Sequence, residues 1–333
     1  MKNKLCLLLC GVIALSLLSG CAPKGDTGLT VLEVSEVTHS VFYAPQYAAI
    51  NLGFFEEEGL QINLTNAGGA DKVMASLLSG SADIGFAGPE AAVYVYLEGK
   101  EDYAKIFAQV TRCDGSFLVG RQPAQNFDWQ DLKGKTVLPG RKGGVPYMTF
   151  EHVLRQNGLQ PGVDVYFDDS VAFNNMAAAF AAGEGDYVTM FEPTASSFEE
   201  QGQGYVAASV GAESGEIPYT AYFANKSYIE QNPGIIEKFT RALYRGQQWV
   251  QSHSAGEIAS VLAPSFADTD ISLLEKSIER YKSINAWNAT PAMSKQAFDN
   301  LQAIMKSAGE LSREAEYEAL VDNSFADMAA NLQ

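Results

Sequence analysis

The sequence predicts an α/β protein built of two lobes, each a sheet flanked by helices, with a helical C-terminal region. Three observations point there. One order of strand, helix and turn signals occurs twice, two strand-like stretches stand where a chain would cross between lobes, and from about Asn225 onward apolar residues follow a helical period.

A targeting segment precedes the lobes. Lys2 and Lys4 form a basic n-region, Leu5 to Leu18 an apolar run too short to span a bilayer, and Ser19-Gly20 a small pair before Cys21. The pattern resembles a bacterial lipoprotein signal, which implies removal of residues 1–20 and acylation of Cys21. More than one acyl chain would hold the mature protein stably to the extracytoplasmic face of the cell membrane. The alternative is an ordinary secreted protein with a Cys after its cleavage site. Residues 21–28 form the lipidated Cys and a small, breaker-rich tether.

The first copy of the repeat runs from strand Val31 to Val37 through Tyr43-Ala44-Pro45, which opens a helix, to Gly59-Leu60-Gln61 at a new strand. Helix Asp71 to Leu78 ends at Gly80; Asp83-Ile84-Gly85-Phe86 then leads into Gly88-Pro89-Glu90 and another helix. The second copy has strand Thr136 to Leu138, Gly144-Val145-Pro146, Gly158-Leu159-Gln160 and strand Val163 to Phe167. It continues with helix Asn174 to Ala182, Gly183, Asp186 to Met190 and Glu192-Pro193. Prolines fall where a first helical turn tolerates a missing N–H, and glycines where helices end.

Ile235, Phe239, Leu243, Gly246 and Val250 mark the apolar face of a long helix, with Glu237, Lys238, Arg241 and Arg245 opposite. Ser116 to Gly120 and Tyr219 to Phe223 are the crossings. The expected division is therefore lobe I at 29–117 plus 220–333, lobe II at 120–216, and hinges near 115–120 and 217–223.

Composition narrows the function. The formal charge of −17 repels nucleic acid and anionic head groups, so membrane contact is expected through lipid alone. Cys113 is the one thiol left after Cys21 in the mature chain, which leaves no disulfide framework; His39, His152 and His253 are too scattered for a metal site. Neither metal nor cofactor is expected, and the protein is expected to be a monomer.

Ala44-Pro45-Gln46-Tyr47-Ala48-Ala49, Gly53-Phe54-Phe55-Glu56-Glu57-Glu58-Gly59-Leu60 and Leu77-Leu78-Ser79-Gly80-Ser81-Ala82-Asp83-Ile84-Gly85 resemble the periplasmic-binding-protein family for sulfonates, nitrate, taurine and thiamine pyrimidine precursors. The resemblance covers roughly residues 29–260. It implies a two-lobed type II periplasmic-binding-protein fold with mixed sheets that closes on a small molecule and delivers it to an ABC permease and its ATPase. Fungal relatives are enzymes of thiamine-pyrimidine synthesis with a cysteine-rich motif, from which this chain departs.

In such folds ligands bind in loops beyond strand ends. The candidates are Glu36, Thr38, His39 and Tyr43; Gly68 and Gly69; Gly88 and Glu90; Ser116; Gly144; Glu192; and Tyr219 and Tyr222. Glycines let a ligand approach backbone N–H donors, aromatic rings stack on a flat ligand, and a carboxylate accepts from an amino group. Glu36, Glu90 and Glu192 lean the reading toward a pyrimidine-like or amino-bearing heterocycle, with a small anion as the alternative. An enzyme using His39 and Glu192 as acid and base is more distant, because no nucleophile stands beside them in the sequence.

Overall fold

A computed structural model describes residues 28–331 of the chain; the expected signal peptide, Cys21 and all of the tether but Gly28 lie outside them. Strand β1 (Thr30–Glu36) pairs in parallel with β2 (Leu60–Asn66) along its whole length and with β3 (Ile84–Ala87) through Val34 to Glu36. β4 (Ala104–Thr111) closes that half of the repeat, and the chain then crosses into β5 (Phe117–Gly120) of a second sheet. There β6 (Thr136–Leu138) pairs in parallel with β7 (Tyr166–Phe167) and β8 (Tyr187–Met190), and β9 (Tyr205–Ser209) lies at the edge beside β5. The chain returns as β10 (Thr220–Asn225), antiparallel between β3 and β4.

The two sheets therefore have one plan. Their orders are β2-β1-β3-β10-β4 and β7-β6-β8-β5-β9, each with one antiparallel strand supplied across a crossing. Two aspartates anchor the plan at the same point of each sheet. Asp83 Oδ2 accepts from Glu33 N at 2.9 Å while its N–H donates to Glu33 O; Asp186 does the same with Thr136, also at 2.9 Å. The glycine three residues before the first of them, Gly80, ends its helix at φ 75°, a left-handed cap that other residues adopt at a cost.

Three features differ from the sequence-based expectation. β4 and β9 lacked a readable period: β4 is buried on both faces, and every residue of β9 is half-buried. The strand expected over Val163 to Phe167 shrinks to Tyr166–Phe167, because Val163 and Asp164 donate back to Gln160 O in a turn. The charged face of the long helix Pro233–Ser252 is not merely solvated, since Arg241 and Arg245 each pair at 2.7 Å with Glu58 and Glu57. Its opposite face packs on helix Ala44–Asn51, where a Cβ on Gly246 would lie 2.3 Å from Pro45 O.

The C-terminal helices touch both sheets' neighbourhoods. Helix Lys295–Ser307 packs on helix Val145–Gln156, and helix Ile271–Ser283 meets helix Thr194–Glu200. Among the described residues no helix is long and apolar enough to cross a membrane.

Candidate ligand-binding cleft

The loops that follow β1 and β3 face the start of helix Val145–Gln156 and the end of β8, and a narrow cavity of ≈ 40 Å³ lies between them. Thr38, Tyr43 and Glu90 enclose it from the first sheet's side, Val145, Phe173 and Phe191 from the second, and Tyr219 from the returning crossing. Two larger cavities adjoin it. One of ≈ 240 Å³ runs past Gly68, Gly69 and Gly144 to Arg141; another of ≈ 130 Å³ runs past His39 and Met190. Phe173 borders all three.

Glu90 opens helix Glu90–Leu97 and is 1% exposed. Its Oε1 accepts from the Val145 N–H at 3.3 Å, across the cleft, while Oε2 is buried without a hydrogen-bond partner. Burial pushes the carboxyl up to about 7, against the opposing pull of Val145 N–H and Arg141. Gly88 makes room for it: a Cβ there would stand 2.0 Å from Oε2. Further contacts span the cleft. Tyr94 Oη donates to Gly143 O at 2.9 Å, Arg141 pairs with Asp71 at 3.5 Å, and Ser40 Oγ donates to Glu192 O at 2.6 Å.

Aromatic rings line the interior side. Phe191 lies 6.0 Å from Phe173, 6.2 Å from Tyr219 and 5.8 Å from Phe42, and Tyr43 and Tyr219 both flank Phe42. Such surfaces suit the face of a planar ligand.

His39 and Glu36 form a unit at the mouth. Glu36 is buried and accepts from Gln46 Nε2 and Tyr47 Oη; His39 Nδ1 meets Glu36 Oε1 at 3.0 Å and its Nε2 meets Ser265 O at 2.7 Å. A ring nitrogen facing a carbonyl and another facing a carboxylate favour the imidazolium, and the Glu36 hydrogen bond raises the His39 pKa. His39 borders the cleft while Glu36 stands behind it as its support.

Besides Glu36, which stands behind the cleft, three candidates are corrected. Glu192 borders the ≈ 130 Å³ cavity, but its side-chain carboxylate is fully buried. It is filled by Arg280 Nη1 at 2.7 Å, by Ser196 N and Oγ at 2.9 Å each, and by Ser277 Oγ, which leaves no acceptor for a ligand. Tyr222 lies in the first sheet's core, stacked on Phe86 at 4.1 Å, with its hydroxyl donating to Gln46 Oε1. Ser116 is spent on its neighbour: its N–H and Oγ both donate to Asp114 Oδ1 at 2.6 Å. Thr38, His39, Tyr43, Gly68, Gly69, Gly88, Glu90, Gly144 and Tyr219 line the cleft, and Glu192 borders its ≈ 130 Å³ part without offering its carboxylate.

Sequence reasoning missed Phe173 and Asp114. Phe173 is the aromatic of the loop that follows β7, between Asp168-Asp169 and Asn174-Asn175, a signal that was there to be read. Asp114 is fully buried at the crossing, with Oδ2 unpartnered and Tyr219 Oη beside it outside hydrogen-bond geometry; burial raises its carboxyl to about 7. Cys113 lies behind the crossing, and burial pushes its thiol up to about 12, far from a thiolate at neutral pH.

The chain matches the family described as "NMT1/THI5 like" over residues 41–256. It is 45% identical over 306 residues to the putative binding protein YtlA of Bacillus subtilis (strain 168), covering 92% of each chain. The alkanesulfonate-binding protein SsuA of Xanthomonas axonopodis pv. citri, solved with MOPS bound, superposes with a TM-score of 0.72 at 17% identity over 89% of this chain and 99% of that one. The periplasmic nitrate-binding protein NrtA of Synechocystis PCC 6803 gives 0.71 at 17% identity, covering 91% of this chain and 89% of that one. These likenesses establish the two-lobed periplasmic-binding-protein fold.

Proposed function

This chain belongs to the NMT1/THI5-like family, and from that premise we propose that it is the lipid-anchored, extracytoplasmic solute-binding subunit of an ABC importer. It captures a planar, amino-bearing heterocycle of pyrimidine type between its lobes and delivers it to a membrane permease driven by an ATPase. The observation that carries the ligand class is Glu90 Oε2, a buried acceptor without a partner, set among the rings of Tyr43, Phe173, Phe191 and Tyr219. An amino group donating to that oxygen would relieve an unsatisfied buried acceptor, worth on the order of 1–3 kcal/mol. Walls from both sides of the cleft imply closure around the ligand, and the small central volume implies that the lobes part to admit it.

We read the protein as a carrier without turnover. The Cys113 thiol is buried and protonated behind the crossing, and the Glu192 carboxylate is held by Arg280. A second reading, a small anion, draws support from the ≈ 240 Å³ cavity, which is bordered by the start of helix Ala70–Ser79 and by Lys72 and Arg141. Isothermal titration with 4-aminopyrimidine, benzoate, taurine, methanesulfonate and nitrate tests the choice. One-to-one binding of the aminopyrimidine supports the heterocycle reading. Saturable binding confined to the anions would replace it with the second reading.

A further inference from the structure

Two helix N-termini converge on one side chain in the cleft. Glu90 sits in the first turn of its own helix, whose Glu90 and Ala91 N–H groups bear on its carboxyl, and it reaches the Val145 N–H at the start of helix Val145–Gln156 opposite. The second helix has few other donors to offer there, because Pro146 lacks an N–H and Gly144 N already donates to Arg141 O. Of the other charges nearby, Lys72 borders the larger adjoining cavity and not the central one. Arg141 is paired with Asp71 at 3.5 Å, and Glu310 stands over the Gly143 turn, 3.4 Å from where a Cβ on that glycine would lie.

An anion entering the closed cleft would seek those same N–H groups and the positive end of that helix. We propose that Glu90 is the charge-selecting residue of this cleft: it occupies from one lobe the helix N-terminus that an anionic ligand would claim on the other. The inference deepens the proposed capture function and rests on it. Its second support is steric and independent of charge. Gly88 leaves the space into which the carboxyl folds, so that Oε2 is buried against that glycine with no partner while Oε1 reaches the Val145 N–H. The same oxygen that repels an anion accepts from a donor, so one residue sets both the attraction and the exclusion.

The test uses methanesulfonate and nitrate as anion probes, titrated calorimetrically into the wild type, Glu90→Gln and Glu90→Ala, with thermal melts confirming that each variant is folded. Glu90→Gln keeps the side chain's volume and removes its charge; Glu90→Ala frees the Val145 N–H. The expected result is no saturable anion binding to the wild type and a gain of at least about tenfold in apparent affinity for one or both probes in the variants. Anion binding by the wild type as tight as by the variants would overturn the proposal, as would no gain in either folded variant. A parallel titration with 4-aminopyrimidine addresses the proposed function separately: its failure to bind the wild type would remove the heterocycle reading while the anion comparison still decides the role of Glu90.

Discussion

Arg280 and Glu192, 88 residues apart, form a hydrogen-bonded ion pair at 2.7 Å in which the carboxylate side chain is fully buried. Arg280 also pairs with Glu199, so one guanidinium from helix Ile271–Ser283 fastens the end of β8 and the helix after it. Tyr281, next in sequence, accepts from Glu192 N at 2.9 Å and donates to Gly115 O at 3.1 Å. Helix Ile271–Ser283 thus ties the second sheet to the crossing. One of the groups it uses, Glu192, is a residue that the sequence offered for binding.

The first prediction follows from this pair. Glu192→Gln removes the buried member of this network and leaves Arg280 with Glu199 alone, at a cost of about 1–3 kcal/mol for the lost charge-assisted hydrogen bonds. The melting temperature should fall by several degrees while affinity for the ligand changes less than about threefold. Calorimetric melts and titrations on the same sample check both halves. A large loss of affinity at unchanged stability would return Glu192 to the ligand.

A second prediction concerns pH. Burial raises Glu90 from 4.5 and Asp114 from 3.8, each to about 7, and the Glu36 hydrogen bond raises His39 from 6.5. A group that holds its proton more tightly when folded contributes stability that is complete below its unfolded pKa and disappears as pH rises through the folded value. For the two carboxyls that window runs from about 4 to about 7, with a slope of up to about 1.4 kcal/mol per pH unit for each; for His39 it begins near 6.5. All three act in one direction, so the protein should melt higher at pH 5 than at pH 8. Asp114→Asn, which keeps an acceptor for Ser116, should flatten the profile. A melting temperature that climbs from pH 5 to pH 8 would contradict the assignment.

Most of the architecture could be read from local signals because those signals are local in cause. Gly80, Pro45 and Pro146 act within a turn of where they stand, and Asp83 and Asp186 repeat because each binds its own first strand's backbone. The cleft was legible only as loops. Which way a carboxylate turns depends on partners far along the chain: Glu90 meets Val145 at a separation of 55 residues, and Glu192 meets Arg280 at 88. Nothing near Glu192 announces that guanidinium, and Tyr222 could be placed in the core only once Phe86 and Phe107 were known to flank it.

Phe173 supports a third prediction. Its half-buried ring borders all three cavities and packs edge-on toward Phe191 at 6.0 Å. Phe173→Ala should merge the cavities and remove a stacking wall, with a loss on the order of 1–2 kcal/mol, or about fivefold to thirtyfold in affinity for a planar ligand. Stability should change little, because the ring is not in the core. Titration of the wild type and variant with the same ligand measures this, and undiminished affinity would place the ligand elsewhere.

The last prediction separates anchorage from capture. Cys21 precedes β1 in the sequence, and every described strand and cleft residue comes after it. Cys21→Ser removes the thiol that acylation requires. The variant should lose stable membrane association and leave the detergent phase on partitioning, because a chain with net charge −17 gains nothing from anionic head groups once the lipid is gone. Its affinity for the ligand should equal that of the wild type, since among the described residues the cleft is lined only by residues after β1. Retention of the variant in the detergent phase would refute lipidation at Cys21. A loss of affinity would mean instead that the segment before β1 takes part in binding, and the boundary between tether and lobe would have to be redrawn.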